Sequence, residues 1–325
     1  MNKEQLLKST IPHLAAFGVF LIVTAIYFSS LIGGKVLIQS DIVQWKGSAK
    51  ELQDFRDKTG EEGLWTNSMF GGMPGYQISM STKGNLVNKV RHVFLKVLPK
   101  PANLILSCMV AFYILMVVMG VQPILAVAGS IAYGLSTYNM LILEAGHIIK
   151  AMSIAYMPLV VAGVLLAFRG RYLLGAALGG IGFAFNIVAA HYQITFYLGL
   201  ILLIFGIVYL IEAVKNKTLP DFIKASAIMG VVFIVAIGTD YVRLATTYEF
   251  SKETMRGGSE LSKKGASNGL EADYAFAWSY GKMETFTLLI PRFVGGASGE
   301  KISKDSKTYK SLRSLGSRSE VGPMY

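Results

Sequence analysis

Four polar clusters in this chain carry side chains that could do chemistry. Asp41 stands in S-D-I-V-Q-W, and its carboxylate could take a proton from a hydroxyl nucleophile or help hold a divalent ion. Glu144, His147 and Lys150 follow in E-A-G-H-I-I-K, three residues apart, a spacing that suits one helical face. An imidazole there could bind a metal or pass a proton, and the ammonium could hold a phosphate, but one His and one Glu do not complete a metal site. His191 and Gln193 stand in A-A-H-Y-Q-I-T-F-Y. In the last cluster Arg256, beside Gly257 and Gly258, could present a guanidinium fork to a phosphate. Trp278 and Tyr280 offer flat faces on which a sugar ring could stack, and Glu284 follows them in K-M-E-T. Each cluster also has a plainer explanation: solvated helix ends, a hydrogen-bonded structural histidine, or aromatic loop packing.

The elements that must position these groups are apolar. Of 325 residues, 53% are hydrophobic and only 16% charged, against roughly 25% charged in soluble domains, and the mean hydropathy is +0.48. A soluble enzyme is thereby disfavoured. The net charge of +11 points to membrane-flanking lysines and to anionic or phosphate-bearing lipids rather than to nucleic acid. Cys108 is the only cysteine, so no intramolecular disulfide can form.

Apolar runs of spanning length lie at about Ile11 to Ile32, Asn103 to Val121, Ile124 to Leu143, Met152 to Phe168, Leu173 to Ala190, Ile194 to Val214 and Phe222 to Leu244. About 20 residues at 1.5 Å each cross a hydrocarbon core of roughly 30 Å. The first run lacks the small-residue cleavage pattern of a signal peptide and is expected to be retained. Continuous apolar runs exclude a sheet barrel, which leaves helices as the structure able to satisfy its own backbone in lipid. The expected fold is therefore an all-α polytopic membrane bundle of about seven transmembrane helices with long outer loops. One membrane domain fills 1–325: a first outer loop at 38–102, a bundle at 103–244, and an outer segment at 245–325.

Within the first loop, Leu52 and Phe55 among charged residues predict a short amphipathic helix between Lys46 and Glu62. L-W-T-N-S-M-F-G-G-M-P-G-Y-Q predicts tight turns at Gly71, Gly72 and Pro74. Asn88 to Pro101 alternates basic and apolar residues as a helix lying on the membrane does. Orientation follows from the short turns, because Lys and Arg mark the cytoplasmic side. With the amino terminus inside, Arg169 to Arg171 and Lys215 to Lys224 face the cytoplasm. Asp41, Glu144, His147, Lys150, His191, Gln193, Glu249, Arg256 and Glu284 then gather at the outer face. The many lysines of the loop from Lys35 to Ala102 weigh against this orientation, although loops beyond about 60 residues translocate largely regardless of charge.

In order along the chain, S-D-I-V-Q-W, L-W-T-N-S-M-F-G-G-M-P, E-A-G-H-I-I-K, H-Y-Q-I-T-F-Y, S-K-E-T-M-R-G-G and W-S-Y-G-K-M-E-T resemble the YfhO family of bacterial multi-pass membrane proteins, specifically its Bacteroidetes-type members, related to the GT-C class of glycosyltransferases. The resemblance implies a GT-C-like enzyme of the bacterial cytoplasmic membrane. It would move a sugar from a polyprenyl-phosphate donor to an acceptor outside the membrane, with membrane lipids as its surroundings. It further implies that Asp41 is catalytic. Many members of the class carry a paired acidic motif where this chain has Asp41 followed by Ile42, so a divalent cation at Asp41 stays an open question. The donor phosphate would fall to Lys150, His147 and Arg256. Family members resemble longer proteins, so the chain is expected to be an amino-terminal fragment. A transporter or flippase of a lipid-linked or anionic solute, or a non-catalytic envelope assembly protein, are the alternatives, and Asp240 is the residue that would separate them.

Overall fold

The structure is a computed structural model that describes residues 3–80, 84–254, 273, 276–277, 279–290, 293–294 and 303–315. It divides into two compact units, Met1–Thr247 and Tyr248–Tyr325, close to residue 245, where the sequence places the start of its last outer segment.

The first unit is mostly helical. Helix α1 (Lys3–Tyr27) is followed by the single turn α2 (Ser29–Ile32), and the polar loop forms α3 (Ser40–Ser48), α4 (Lys50–Thr59) and α5 (Leu86–Leu95). The apolar helices are α6 (Ala102–Val118), α7 (Pro123–Gly134), α8 (Thr137–Ala145), α9 (Ile148–Phe168), α10 (Tyr172–Val188), α11 (Tyr192–Lys215) and α12 (Leu219–Gly238). Helix α13 (Tyr241–Ser251) begins here as well. Among the described residues, five segments are long and apolar enough to cross a membrane: Thr10–Tyr27, Pro123–Ala145, α9, α11 and α12. Helices α6 and α10 are apolar but have 17 residues each, about 25 Å of helix.

Three expected spans are interrupted: the run from Ile11 to Ile32 breaks at Phe28, between α1 and α2, and polar side chains explain the other two breaks. The run from Ile124 to Leu143 splits into α7 and α8 around Leu135 and Ser136. Buried Asn139 donates from Nδ2 to the carbonyls of Tyr133 at 2.9 Å and Gly134 at 3.3 Å, satisfying groups the helix has left open. The run expected to reach Leu244 stops at Gly238. Asp240 follows, only 7% exposed, and leaving the apolar helix lets its carboxylate meet Arg243 at 3.4 Å.

Helix α9 is the axis of the bundle. Its apolar window is 72% buried, against 11% for α11 and 17% for α12, whose side chains face outward. Lipid is as apolar as leucine, so close packing rather than hydrophobic exclusion must hold such helices together. Small residues supply it: a Cβ on Gly163 of α9 would lie 2.3 Å from the Gly179 Cα of α10. Across the other side, Phe20 of α1 packs with Leu104, Ile105 and Met109 of α6. Fully buried Asn186 donates to the Ser153 carbonyl at 2.9 Å and accepts from the Thr195 hydroxyl at 2.7 Å, tying α9, α10 and α11 at one end.

In the loop, Trp65–Thr66 and Met73–Pro74 pair as a short antiparallel ribbon, Trp65 opposite Pro74, where the sequence predicts turns but no strands. The Glu51 carboxylate accepts from the Thr66 hydroxyl at 2.5 Å and from the Asn67 and Ser68 amides at 3.0 and 3.1 Å. Those bonds, the Thr66 hydroxyl foremost, hold its pKa below the ordinary carboxylate value. Helix α5 turns Leu86, Val90 and Val93 outward while Asn88 and Arg91 are buried. Such an apolar outer face is what a helix lying on a membrane needs.

In the second unit, a 3-10 turn spans Glu284–Leu288, the Phe286 and Phe293 rings lie 5.4 Å apart, and α14 (Lys307–Ser314) is capped by the Ser306 hydroxyl.

Candidate functional site

The site begins at the chain reversal between α8 and α9. Helix α8 ends on Gly146, at φ +99°, and the His147 amide reaches back to the Ile142 carbonyl at 2.8 Å. This is the left-handed helix end that favours glycine. It turns His147 into the residue that starts α9, with Lys150 in that helix's first turn. Glu144, His147 and Lys150 therefore do not share one helical face, as their spacing predicts; Glu144 belongs to α8 and is exposed.

The first loop docks onto this reversal. Gln39 donates from its side chain to the Leu143 carbonyl, and the Ser40 hydroxyl donates to the Ala145 carbonyl at 3.3 Å. A Cβ on Gly146 would lie 3.2 Å from the Cβ atoms of both Gln39 and Asp41, so glycine also permits the close approach. Asp41, in the first turn of α3, is thereby set against His147, with 2.9 Å between Oδ2 and Nε2. Both side chains are partly exposed, 46% and 39%, and a pair this open contributes about 0–1 kcal/mol. Its value is orientation.

These residues line a cavity of 750 Å³ together with Lys150 and His191. His191 arrives by a second reversal of the same kind. Ala190 has φ +60°, and His191 then starts α11 as His147 starts α9. Burial, then the nearby Lys150 ammonium, then His147 push the His191 pKa below its ordinary value, so the ring is neutral at pH 7. Its Nδ1 is buried with no hydrogen-bond partner among the described residues. Lys35, Lys46 and Lys100 complete the rim. Among the described residues, four lysines and a single carboxylate thus line a cavity whose walls are otherwise largely apolar, a combination suited to an anionic head on an apolar body.

Of the other predicted residues in the first unit, Glu144 and Gln193 do not line this cavity. Gln193 is exposed on α11 and donates to the Tyr197 hydroxyl at 2.7 Å. Glu284 belongs to the second unit, where it accepts from the Gly281 amide at 2.7 Å. Arg256 and Trp278 lie outside the described residues. Nor do the groups present fit a divalent cation: among the described residues no three His, Cys, Asp or Glu side chains converge, and Asp41 and His147 are spent on each other.

Sequence reasoning missed Lys35, Lys46 and Lys100. Their signal was visible as the excess of lysine in the first loop, weighed there only for orientation. The repeated A-[GA]-H pattern ahead of α9 and α11 was the other overlooked cue, because both copies reverse the chain and open a helix on histidine.

Fold and cavity together define a mostly helical protein with the make-up of a membrane protein, whose first loop closes a cation-lined cavity over the turn between two apolar helices. No protein family, curated protein or solved structure matches this chain.

Proposed function

We propose that this chain forms the membrane part of a glycosyltransferase of the kind its motifs resemble, the YfhO family and the GT-C class, with a polyprenyl-phosphate sugar as donor. On this reading all seven apolar segments cross the bacterial cytoplasmic membrane, α6 and α10 as short spans, with the amino terminus in the cytoplasm. The cavity then opens on the outer face. The observation that carries the proposal is the meeting of three separated motifs, S-D-I-V-Q-W, E-A-G-H-I-I-K and A-A-H-Y-Q, on one cavity bearing Asp41 and four lysines.

In the proposed reaction the acceptor hydroxyl oxygen attacks the anomeric carbon of the donor sugar. The bond from that carbon to the phosphate oxygen breaks, polyprenyl phosphate leaves with the bonding electrons, and the configuration inverts. Asp41 accepts the hydroxyl proton. His147 acts through Asp41: its Nε2 fixes the carboxylate and leaves the second oxygen for the acceptor. Lys150 and the rim lysines offset the charge on the departing phosphate. Transport has less support. The buried carboxylate that could couple it, Asp240, is held by Arg243 and Asn85 beyond the end of α12 rather than near a bilayer midplane.

The test is transfer of label from a radiolabelled polyprenyl-phosphate hexose to membrane acceptors by wild type, Asp41→Asn and Lys150→Ala. Asp41→Asn should slow transfer by roughly 10² to 10⁴ with donor binding nearly intact. Lys150→Ala should weaken donor binding by about 1.5 to 3 kcal/mol. Near-wild-type transfer by both variants would remove the proposed site.

A further inference from the structure

A second cavity, of 640 Å³, lies behind the first, and the two share Trp45 and Ile149 as a wall. The indole donates to the Ile78 carbonyl at 2.9 Å, which fixes that wall in place. Into this second space come Arg91 from α5, Tyr192 from the start of α11 and Arg243 from α13, and no carboxylate lines it among the described residues.

Its donors are conspicuously short of acceptors. Arg91 is 6% exposed. One of its amino groups meets the Asn88 amide oxygen and the other faces only the Met152 sulfur at 2.7 Å, a weak acceptor. Its Nε has no hydrogen-bond partner among the described residues. Arg243 donates from Nη1 to the Val188 carbonyl at 3.4 Å, but its Nε has no hydrogen-bond partner among the described residues: Asp240 Oδ2 lies 3.4 Å away, within ion-pair range but out of line for a hydrogen bond. The Tyr192 hydroxyl is buried with no hydrogen-bond partner among the described residues. Buried donors left unbonded, and a buried guanidinium without its own counter-charge, are costly, so proteins rarely keep them idle. Asp240 sits behind Arg243 rather than in the cavity and neutralises one of the two arginines. The account is one negative charge and several acceptor oxygens short.

We propose that this second cavity binds a phosphate group, held between the Arg91 and Arg243 guanidinium groups with Tyr192 as a third donor. A phosphate fits because its oxygens can accept from two forks and a hydroxyl at once. The proposal is independent of the transfer reaction above, since it is tested by binding alone. The same chemistry is offered by a free phosphate ion and by an anionic lipid headgroup, and α5, with its outward apolar face, borders the cavity from the side a lipid would use.

The experiment uses the full chain in phosphatidylcholine nanodiscs. One arm titrates inorganic phosphate calorimetrically; the other dopes in phosphatidylglycerol and counts retained lipids by native mass spectrometry. Wild type should bind in one arm, and Arg243→Gln should weaken that binding about tenfold or more. Lys215→Ala, an exposed change of equal charge at the end of α11 that lines neither cavity, should leave it unchanged. Arg243→Lys keeps the charge beside Asp240 and loses the fork, so it should weaken binding less; it also serves if the glutamine variant does not yield monodisperse protein. Saturable binding of phosphate identifies a free anion, and selective retention of phosphatidylglycerol identifies a headgroup. The proposal is overturned if wild type binds in neither arm, or if binding at wild-type strength survives both Arg243→Gln and Arg243→Lys, loss in Lys150→Ala then assigning the bound phosphate to the first cavity.

Discussion

Replacing Gly146 by alanine puts the docking of the first loop to a direct test. At φ +99° and ψ 14° the residue lies beyond the left-handed well open to side-chain-bearing residues, and the backbone alone should cost about 1–2 kcal/mol. The new methyl would also meet Gln39 Cβ and Asp41 Cβ at 3.2 Å and Ile42 Cγ1 at 3.3 Å. Two of these atoms sit on the rigid start of α3, so relief must come from moving α3 away by a few tenths of an ångström. That motion lengthens the 2.9 Å contact between His147 and Asp41 and, in the proposed reaction, shifts the carboxylate relative to the acceptor hydroxyl. Misplacement of about 1 Å can cost 10²-fold in rate, and the smaller shift here predicts a loss on the order of tenfold in transfer, with donor binding at Lys150 held. Transfer and donor binding would be measured on the same nanodisc preparation, with thermal unfolding alongside. Wild-type stability together with wild-type transfer would refute the docking, because both penalties arise at one atom.

Three further outcomes follow from other elements. His191 has a folded pKa depressed below its unfolded value of about 6.5, so the unfolded chain binds the proton first: stability should be fully present above about pH 6.5 and decline as pH falls toward the depressed value. Thermal melts between pH 7.5 and 5 should show that decline, and His191→Gln should flatten it. Cysteines introduced beside Trp65 and Arg169 should react with an impermeant reagent from opposite sides, Trp65 from outside, against little background because native Cys108 is buried; the reverse pattern inverts the proposed orientation. Gly163→Leu must force α9 and α10 apart, since even a Cβ would lie 2.3 Å from Gly179, and should leave little folded protein by size-exclusion chromatography, whereas Gly230→Leu on α12, with open space around it, should be tolerated.

The legible parts of the fold were those written in long apolar runs. Every expected run is helical, four of the seven as one helix, because seventeen or more apolar residues leave few other ways to satisfy a backbone. What composition could not convey was where polar side chains cut the runs. Asn139 opens the α7–α8 break by bonding carbonyls five and six residues behind it, and Asp240 ends α12 for the sake of Arg243; both depend on three-dimensional partners. Four candidate residues, Asp41, His147, Lys150 and His191, were named by type and position and do line one cavity. Glu144 and Gln193 were named by the same logic and do not, since helix phase at a chain reversal cannot be extrapolated through a residue at φ +99°. The ribbon at Trp65 was hidden because two-residue strands carry no alternation to detect.

The contacts that close the first cavity also impose an order in time. Gln39 and Leu143 are 104 residues apart, and Ser40 and Ala145 are 105. A chain is made from its amino terminus at roughly 5–20 residues per second, so the segment with Asp41 emerges several seconds before the carbonyls that anchor it. During that interval α3 has no dock. A nascent chain arrested before residue 143 therefore presents Asp41 without its histidine or its cavity, and the site comes into being as a late event of assembly rather than as a property of the loop.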